Sequence, residues 1–173
     1  MFKKAAGFTI VELLIVIVVI GILAAIVIVS YNGITDNAKK AGAISELRQW
    51  QKLYDAYKAT YGSYPAMADG NYCLGTGFPG GYCGYLIAPS IYSFAESTGT
   101  PIMTELTKVG TPPKGSSKYV VDSNAGPWIT YTSTQIMFQT VIKGAVSDCP
   151  SGTVNGYWDS ATKRLHCTVT LDK

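Results

Sequence analysis

Between Phe8 and Val29 the chain reads FTIVELLIVIVVIGILAAIVIV, and from Leu13 to Val29 it has no polar side chain. Twenty-two helical residues at about 1.5 Å each extend about 33 Å, enough for a bilayer hydrocarbon core of about 30 Å. A helix buried in a soluble protein would show a polar stripe or polar ends. This segment is apolar on every side and so predicts a membrane-spanning helix. Ile and Val are weak helix formers in water, but lipid offers the backbone no other hydrogen-bond partners and imposes the helix. Lys3 and Lys4 precede the run and the first charge beyond it is Asp36. The positive-inside rule then puts the N-terminus in the cytoplasm and the remainder outside. A cleaved secretory signal is the competing reading. Such a signal is cut behind a shorter apolar region at a small-x-small site, and Ser30-Tyr31-Asn32-Gly33 is a poor one.

The 173 residues suit one small domain added to this helix. The net charge is +3, but without Lys3 and Lys4 only twelve basic side chains face eleven acidic ones. That balance lacks the dense basic field that nucleic acid requires, so nucleic acid is at most a weak partner. All four cysteines (Cys73, Cys83, Cys149 and Cys167) follow the apolar run. An even number in an exported domain predicts two disulfides. Of the three connectivities, Cys73–Cys83 with Cys149–Cys167 closes two local loops and is favoured, at about 3 kcal/mol per unstrained bridge. A structural metal site is disfavoured, because there is no C-x2-C pair and only one histidine.

Glu12 is the anomaly of the apolar run. A carboxylate costs about 2.5–3.5 kcal/mol at the membrane centre by insertion scales. It either lies near the interface and reaches water, or pairs with a cation from another copy. The run contains no Lys or Arg, so the natural cation is an α-amino group created by cutting between Gly7 and Phe8.

The stretch Gly7-Phe8-Thr9-Ile10-Val11-Glu12-Leu13-Leu14-Ile15-Val16, which begins at the last residue of the basic leader Met1–Gly7, resembles the processing signature of type IV pilins and pseudopilins. The resemblance implies that a prepilin peptidase cuts after Gly7, that the new amine of Phe8 is methylated, and that Glu12 aligns incoming subunits. It implies a homo-oligomeric helical filament with the apolar helices in its core, built by a separate platform and motor. The precursor would be a single-pass membrane protein, later part of an extracellular pilus. Adhesion, twitching, DNA uptake and secretion are the downstream uses of such filaments. No cofactor is implied. Many relatives carry a proline near the end of the apolar segment, where this chain has Ile26-Val27-Ile28-Val29. That departure bears on how much helix melts on assembly. Gly21 and Ala25 form a small-xxx-small pair, either a close-approach point for another helix or part of a smooth surface.

From Asp36 to Tyr61 the pattern is amphipathic, with Ile44, Leu47, Trp50, Tyr54, Tyr57 and Tyr61 at intervals of three or four. Asn32-Gly33 and Gly42 predict weak points, and Gly62 with Pro65 a stop. Residues 66–117 are turn-rich, with a stapled surface loop at Gly75–Gly81 and short helices at Pro89–Glu96 and Pro101–Val109. The loop lacks the Gly-Lys-Ser/Thr of a phosphate cradle. Strands are predicted at Lys118–Asp122, Trp128–Thr132, Gln135–Ile142, Asn155–Asp159 and Lys163–Leu171, with turns at Ser123–Pro127 and Asp159–Thr162. The organisation is then a leader (1–7), a transmembrane or filament-core helix (8–30) and a globular domain (31–173). Within that domain lie an amphipathic helix (31–62), a connecting loop region (63–117) and a sheet with a C-terminal disulfide loop (118–173). The fold class is α+β, a long helix packed on an antiparallel sheet, and the family resemblance implies the same.

The catalytic inventory is thin. His166 is the only histidine and adjoins Cys167, so it reads as a solvated strand residue and not as a general base. Asp148 and Asp159 flank the C-terminal loop but have no EF-hand spacing. The leading expectation is a structural subunit of a type IV pilus. The alternatives are a pseudopilin of a type II secretion or competence system and, in another class, a monomeric membrane-anchored extracellular binding module.

Overall fold

The computed structural model describes residues 7–78, 81–87, 90–113, 126–150, 158–159 and 164–173. One helix, α1, runs without interruption over Ile10–Tyr61. The chain divides into two compact units, Met1–Asn37 and Ala38–Lys173.

The first unit contains the apolar part of α1, where Leu13–Ile28 expose large hydrophobic side chains all round the helix. The predicted weak point at Asn32-Gly33 does not break it. Ser30 Oγ donates to the Ile26 carbonyl (3.0 Å) and Thr35 Oγ1 to those of Tyr31 (2.6 Å) and Asn32 (3.1 Å). Turning their hydroxyls back onto the helix satisfies these polar groups locally, although such back-bonding stabilises a helix little.

In the second unit α1 buries one stripe. Leu47, Trp50 and Tyr54 are wholly inaccessible, and Ile44 and Tyr57 pack at the margin. Ala43 and Glu46 are also buried, which the three-and-four spacing of large residues does not reveal. Tyr61, expected on the same stripe, is exposed and rests on the Tyr57 ring at 4.5 Å. Beyond Tyr57 the helix adds no residue to this core. It ends at Gly62, whose φ of +80° is the left-handed turn that a C-terminal glycine supplies, with its N–H bonded to the Lys58 carbonyl at 2.8 Å.

The stripe packs on a five-stranded antiparallel sheet of order β1-β4-β5-β7-β6. Its strands are β1 (Gly70–Cys73), β4 (Trp128–Tyr131), β5 (Gln135–Lys143), β6 (Trp158–Asp159) and β7 (Arg164–Asp172). Alternation assigns the two faces. Ile129, Tyr131, Ile136 and Phe138 meet Leu47, Trp50 and Tyr54 in the main core. Tyr54 stands edge-on to Phe138 at 4.8 Å, and the Tyr131 hydroxyl donates to that of Tyr54 at 3.1 Å. Burial raises the phenol of Tyr54 well above its ordinary range, so it stays neutral. Farther along the same face, Ala43, Ile142, Leu165 and Cys167 form a second cluster.

The opposite face holds Cys73, Trp128 and Val141, and next to them a ladder in which Gln139 donates to Thr130 (2.6 Å) and Thr130 to Asn71 (2.5 Å). A two-stranded hairpin of β2 (Tyr82–Ile87) and β3 (Ser90–Ala95) adjoins it, followed by a 3-10 turn at Glu96–Gly99 and the short helix α2 (Thr100–Leu106). The helix expected at Pro89–Glu96 is therefore a strand. Its Ile, Tyr and Phe are strand formers, and pairing with β2 overrides the helix-start signal of Pro89. Strands β1 and β2 carry no strong alternation and are absent from the sequence expectation. The expected strand at Lys118–Asp122, most of the turn after it and part of the last hairpin lie outside the described residues. Gly99 is required where it stands, since a Cβ there would overlap the Cys73 carbonyl oxygen.

The loop after β1 is not wholly at the surface. Phe78 is buried against Cys73, Cys83, Trp128 and Val141, so the stapled loop covers the outer sheet face. His166 lies opposite Val141 on this same face, with its ring stacked on Trp128 (centroids 5.0 Å, planes 29° apart). It is half-buried and not solvated, and desolvation lowers its imidazole to about 4.

Two outcomes follow for the folded protein in detergent. Trp50→Ala should cost about 3–5 kcal/mol in denaturant unfolding, against a few tenths for Tyr61→Ala. The folded pKa of His166 lies below its unfolded value of 6.5. Its contribution is therefore complete above pH 6.5 and is lost as pH falls towards 4, by up to about 3 kcal/mol. Comparing wild type with His166→Phe across that window separates this loss from carboxylate protonation; equal slopes would contradict it.

Candidate functional site

The N-terminus of α1 is built by a reciprocal pair. Thr9 is the N-cap and Glu12 the third helical residue. The Glu12 N–H donates to Thr9 Oγ1 (3.2 Å), while Glu12 Oε2 accepts from both the Thr9 N–H and the Thr9 hydroxyl (2.8 Å each). This is a capping box, which satisfies two of the helix's four unpaired N-terminal donors. The carboxylate also lies at the positive end of the helix dipole. Glu12 thus has a partner within its own chain, which reduces the cost that its position in the apolar run carries. Sequence reasoning identified Glu12 by its charge but missed Thr9; the T-x-x-E spacing ahead of an apolar run was the available signal.

Gly7 and Phe8 precede the cap and are not helical. Phe8 is 83% exposed and a Cβ on Gly7 would meet nothing within 4 Å, so both sides of this peptide bond are sterically open. Behind Glu12 the helix is long and apolar enough to cross a membrane.

The other candidates lie elsewhere. Cys73 is bonded to Cys83 (Cα–Cα 5.6 Å) and Cys149 to Cys167 (5.4 Å). The first bridge staples the loop bearing Phe78, and the second ties β7 to the segment after β5. Asp148 accepts the Ala145 N–H at 2.8 Å and pairs with Lys40 at 3.1 Å; these two contacts, in that order, hold its carboxyl below the usual range. It therefore fastens the start of the C-terminal loop to α1. The side chain of Asp159 lies outside the described residues. Among the described residues no group of three or more His, Cys, Asp or Glu could hold a metal ion. His166 is stacked on Trp128 on the outer face of the sheet.

The family model described as the prokaryotic N-terminal methylation motif matches residues 2–28. The chain is similar to type II secretion system core protein G of Dickeya chrysanthemi, 33% identical over 70 residues, which is 40% of this chain and 46% of the relative. It is 36% identical to the protein of that name from Escherichia coli (strain K12) over 67 residues, 39% of this chain and 46% of the relative. For that from Vibrio cholerae serotype O1 the identity is 31% over 68 residues, 39% and 47% respectively. The chain thus spans just under half the length of these curated relatives. No solved structure matches it. The chain therefore carries, at the head of an all-round apolar helix, the N-terminal methylation motif found in type IV pilin-like proteins, and it is similar to the type II secretion core protein G over about two fifths of its length.

Proposed function

We propose that this protein is a pseudopilin-type structural subunit of a type II secretion-like machine, made as a membrane precursor and assembled into a filament through α1. The observation that carries the proposal is the methylation motif over residues 2–28, set directly against a helix with no soluble face. A type IV pilus subunit was the leading sequence expectation. The relatives named as secretion proteins favour the pseudopilin instead.

In this reading a prepilin peptidase cuts the open Gly7–Phe8 bond and the amine of Phe8 is methylated. Residues 1–7 leave as the leader, 8–30 form the filament core, and 31–173 form the globular domain on the far side of the membrane. Lipid is as apolar as the helix, so no hydrophobic force drives α1 into a bundle; close packing and paired charges must do so. The mature chain starts one residue before the cap Thr9, which puts the cationic α-amine of one copy within reach of a Glu12 carboxylate on another. The capping box holds that carboxylate at the helix end until the amine arrives. Platform and motor are separate proteins, and catalysis has no part in the role of this chain.

Intact-mass measurement and N-terminal sequencing should find a mature chain beginning at methylated Phe8. Crosslinking of membranes should give a ladder of multimers that Glu12→Ala reduces at least tenfold while processing continues. Deleting the gene should block export of secreted proteins and leave surface piliation intact. A chain that retains Met1 and crosslinks only as monomer, with or without Glu12, would instead identify a membrane-anchored binding module.

A further inference from the structure

Where α1 ends, the domain carries a cleft of ≈ 360 Å³ whose lining includes Lys58, Tyr64, Pro65, Ala66, Met67 and Lys173. Its walls are mainly apolar, and the two charged side chains that line it are both lysines. Lys58 comes from the last turn of α1 and Lys173 from beyond β7, so the fold gathers them from distant parts of the chain. Each is held in place by an aromatic face, Lys58 Nζ at 4.3 Å from the Tyr64 centroid and Lys173 Nζ at 5.0 Å from that of Tyr131. Lys173 Nζ also donates to the Thr132 carbonyl. Among the described residues neither ammonium has a carboxylate side chain as partner, and none lines the cleft. By contrast, Lys40 and Lys108 are paired with Asp148 and Glu105.

We propose that this cleft binds a carboxylate carried beside an apolar side chain, the chemistry of the last residue of a polypeptide. The two lysines supply charge-assisted donors for the carboxylate. Pro65, Met67 and Tyr64 form an apolar wall for the neighbouring side chain, and the volume suits one such residue. An internal Asp or Glu fits less well, because its short stem leaves the wall unfilled. A free amino acid brings its own ammonium into the field of the lysines. The inference does not rest on the filament reading, since the cleft lies wholly within the second unit.

The test uses the full chain in nanodiscs, labelled with 13C-methyl methionine. Met67 lines the cleft, while Met103 and Met137 report on the fold elsewhere. N-acetyl-phenylalanine should shift the Met67 signal saturably, with at least tenfold weaker binding of N-acetyl-phenylalaninamide. The shift should vanish in Lys58→Gln/Lys173→Gln and persist in Lys58→Arg/Lys173→Arg, with the Met103 and Met137 signals unmoved. Lys58→Gln alone, which leaves the Lys173–Thr132 bond intact, should weaken binding several-fold and guards against misfolding of the double variant. 3-Phenylpropionate separates the sources: weaker binding than the acetylated residue points to a chain end, equal binding to a small exported acid, and either upholds the carboxylate chemistry. Equal binding of acid and amide, or binding indifferent to loss of both lysines, would overturn the proposal.

Discussion

Leu47, Trp50 and Tyr54 leave α1 on one side only, and the second unit is arranged around keeping water from them. Burying each of these side chains is worth about 1.5–3 kcal/mol. The cover comes from Ile129, Tyr131, Ile136 and Phe138, which strand alternation places on the facing side of β4 and β5. Polar contacts also join the helix to the rest of the unit: Lys40 to Asp148 near one end, and Tyr57 to Glu105 (2.7 Å) near the other. Lys108 also holds Glu105, and with Tyr57 it keeps that carboxyl ionised below its ordinary range. Exposed pairs of this kind add little stability.

The same helix continues into a segment with no preferred side, and there the physics is reversed. Without a polar face the segment cannot lie on a soluble core. Lipid, or a bundle of like helices, is the environment its side chains fit. Its one charge lies at the end, folded back into the capping box with Thr9. That geometry accounts for a carboxylate at the head of an apolar run on local grounds alone, and it leaves the group oriented and accessible to a second partner. Local capping and intermolecular pairing are therefore compatible uses of one side chain.

The outer face of the sheet shows how two disulfides divide the work in a small domain. Cys73–Cys83 draws Phe78 against Trp128 and Val141 and makes a second, minor core, with His166 stacked on Trp128 beside it. Cys149–Cys167 anchors β7 beside the cluster of Ala43, Ile142 and Leu165. A domain with this much turn-rich chain gains from such closures, because they remove conformations from the unfolded state.

The features legible in the sequence were those governed by local period and solvent. Uniform apolarity over Leu13–Val29 announced the bare helix, the spacing of Leu47, Trp50 and Tyr54 announced the packed one, and β-branched and aromatic runs announced β4, β5 and β7. The α+β class followed from these. Within the candidate site, Glu12 stood out by its charge at the head of an apolar run, and the cap Thr9 was signalled only by its spacing from it. Tertiary structure alone decided what depends on partners distant in sequence. Residues 90–95 became a strand because β2 pairs with them, whatever their own preference. His166 became a half-buried group because Trp128 of a distant strand stacks on it, and Tyr61 rests on Tyr57 outside the core that Leu47, Trp50 and Tyr54 enter. Lys58 and Lys173 share a cleft only because β7 returns to the end of α1. Periodicity records which side of an element shuns water, but which other element covers that side is a property of the whole chain.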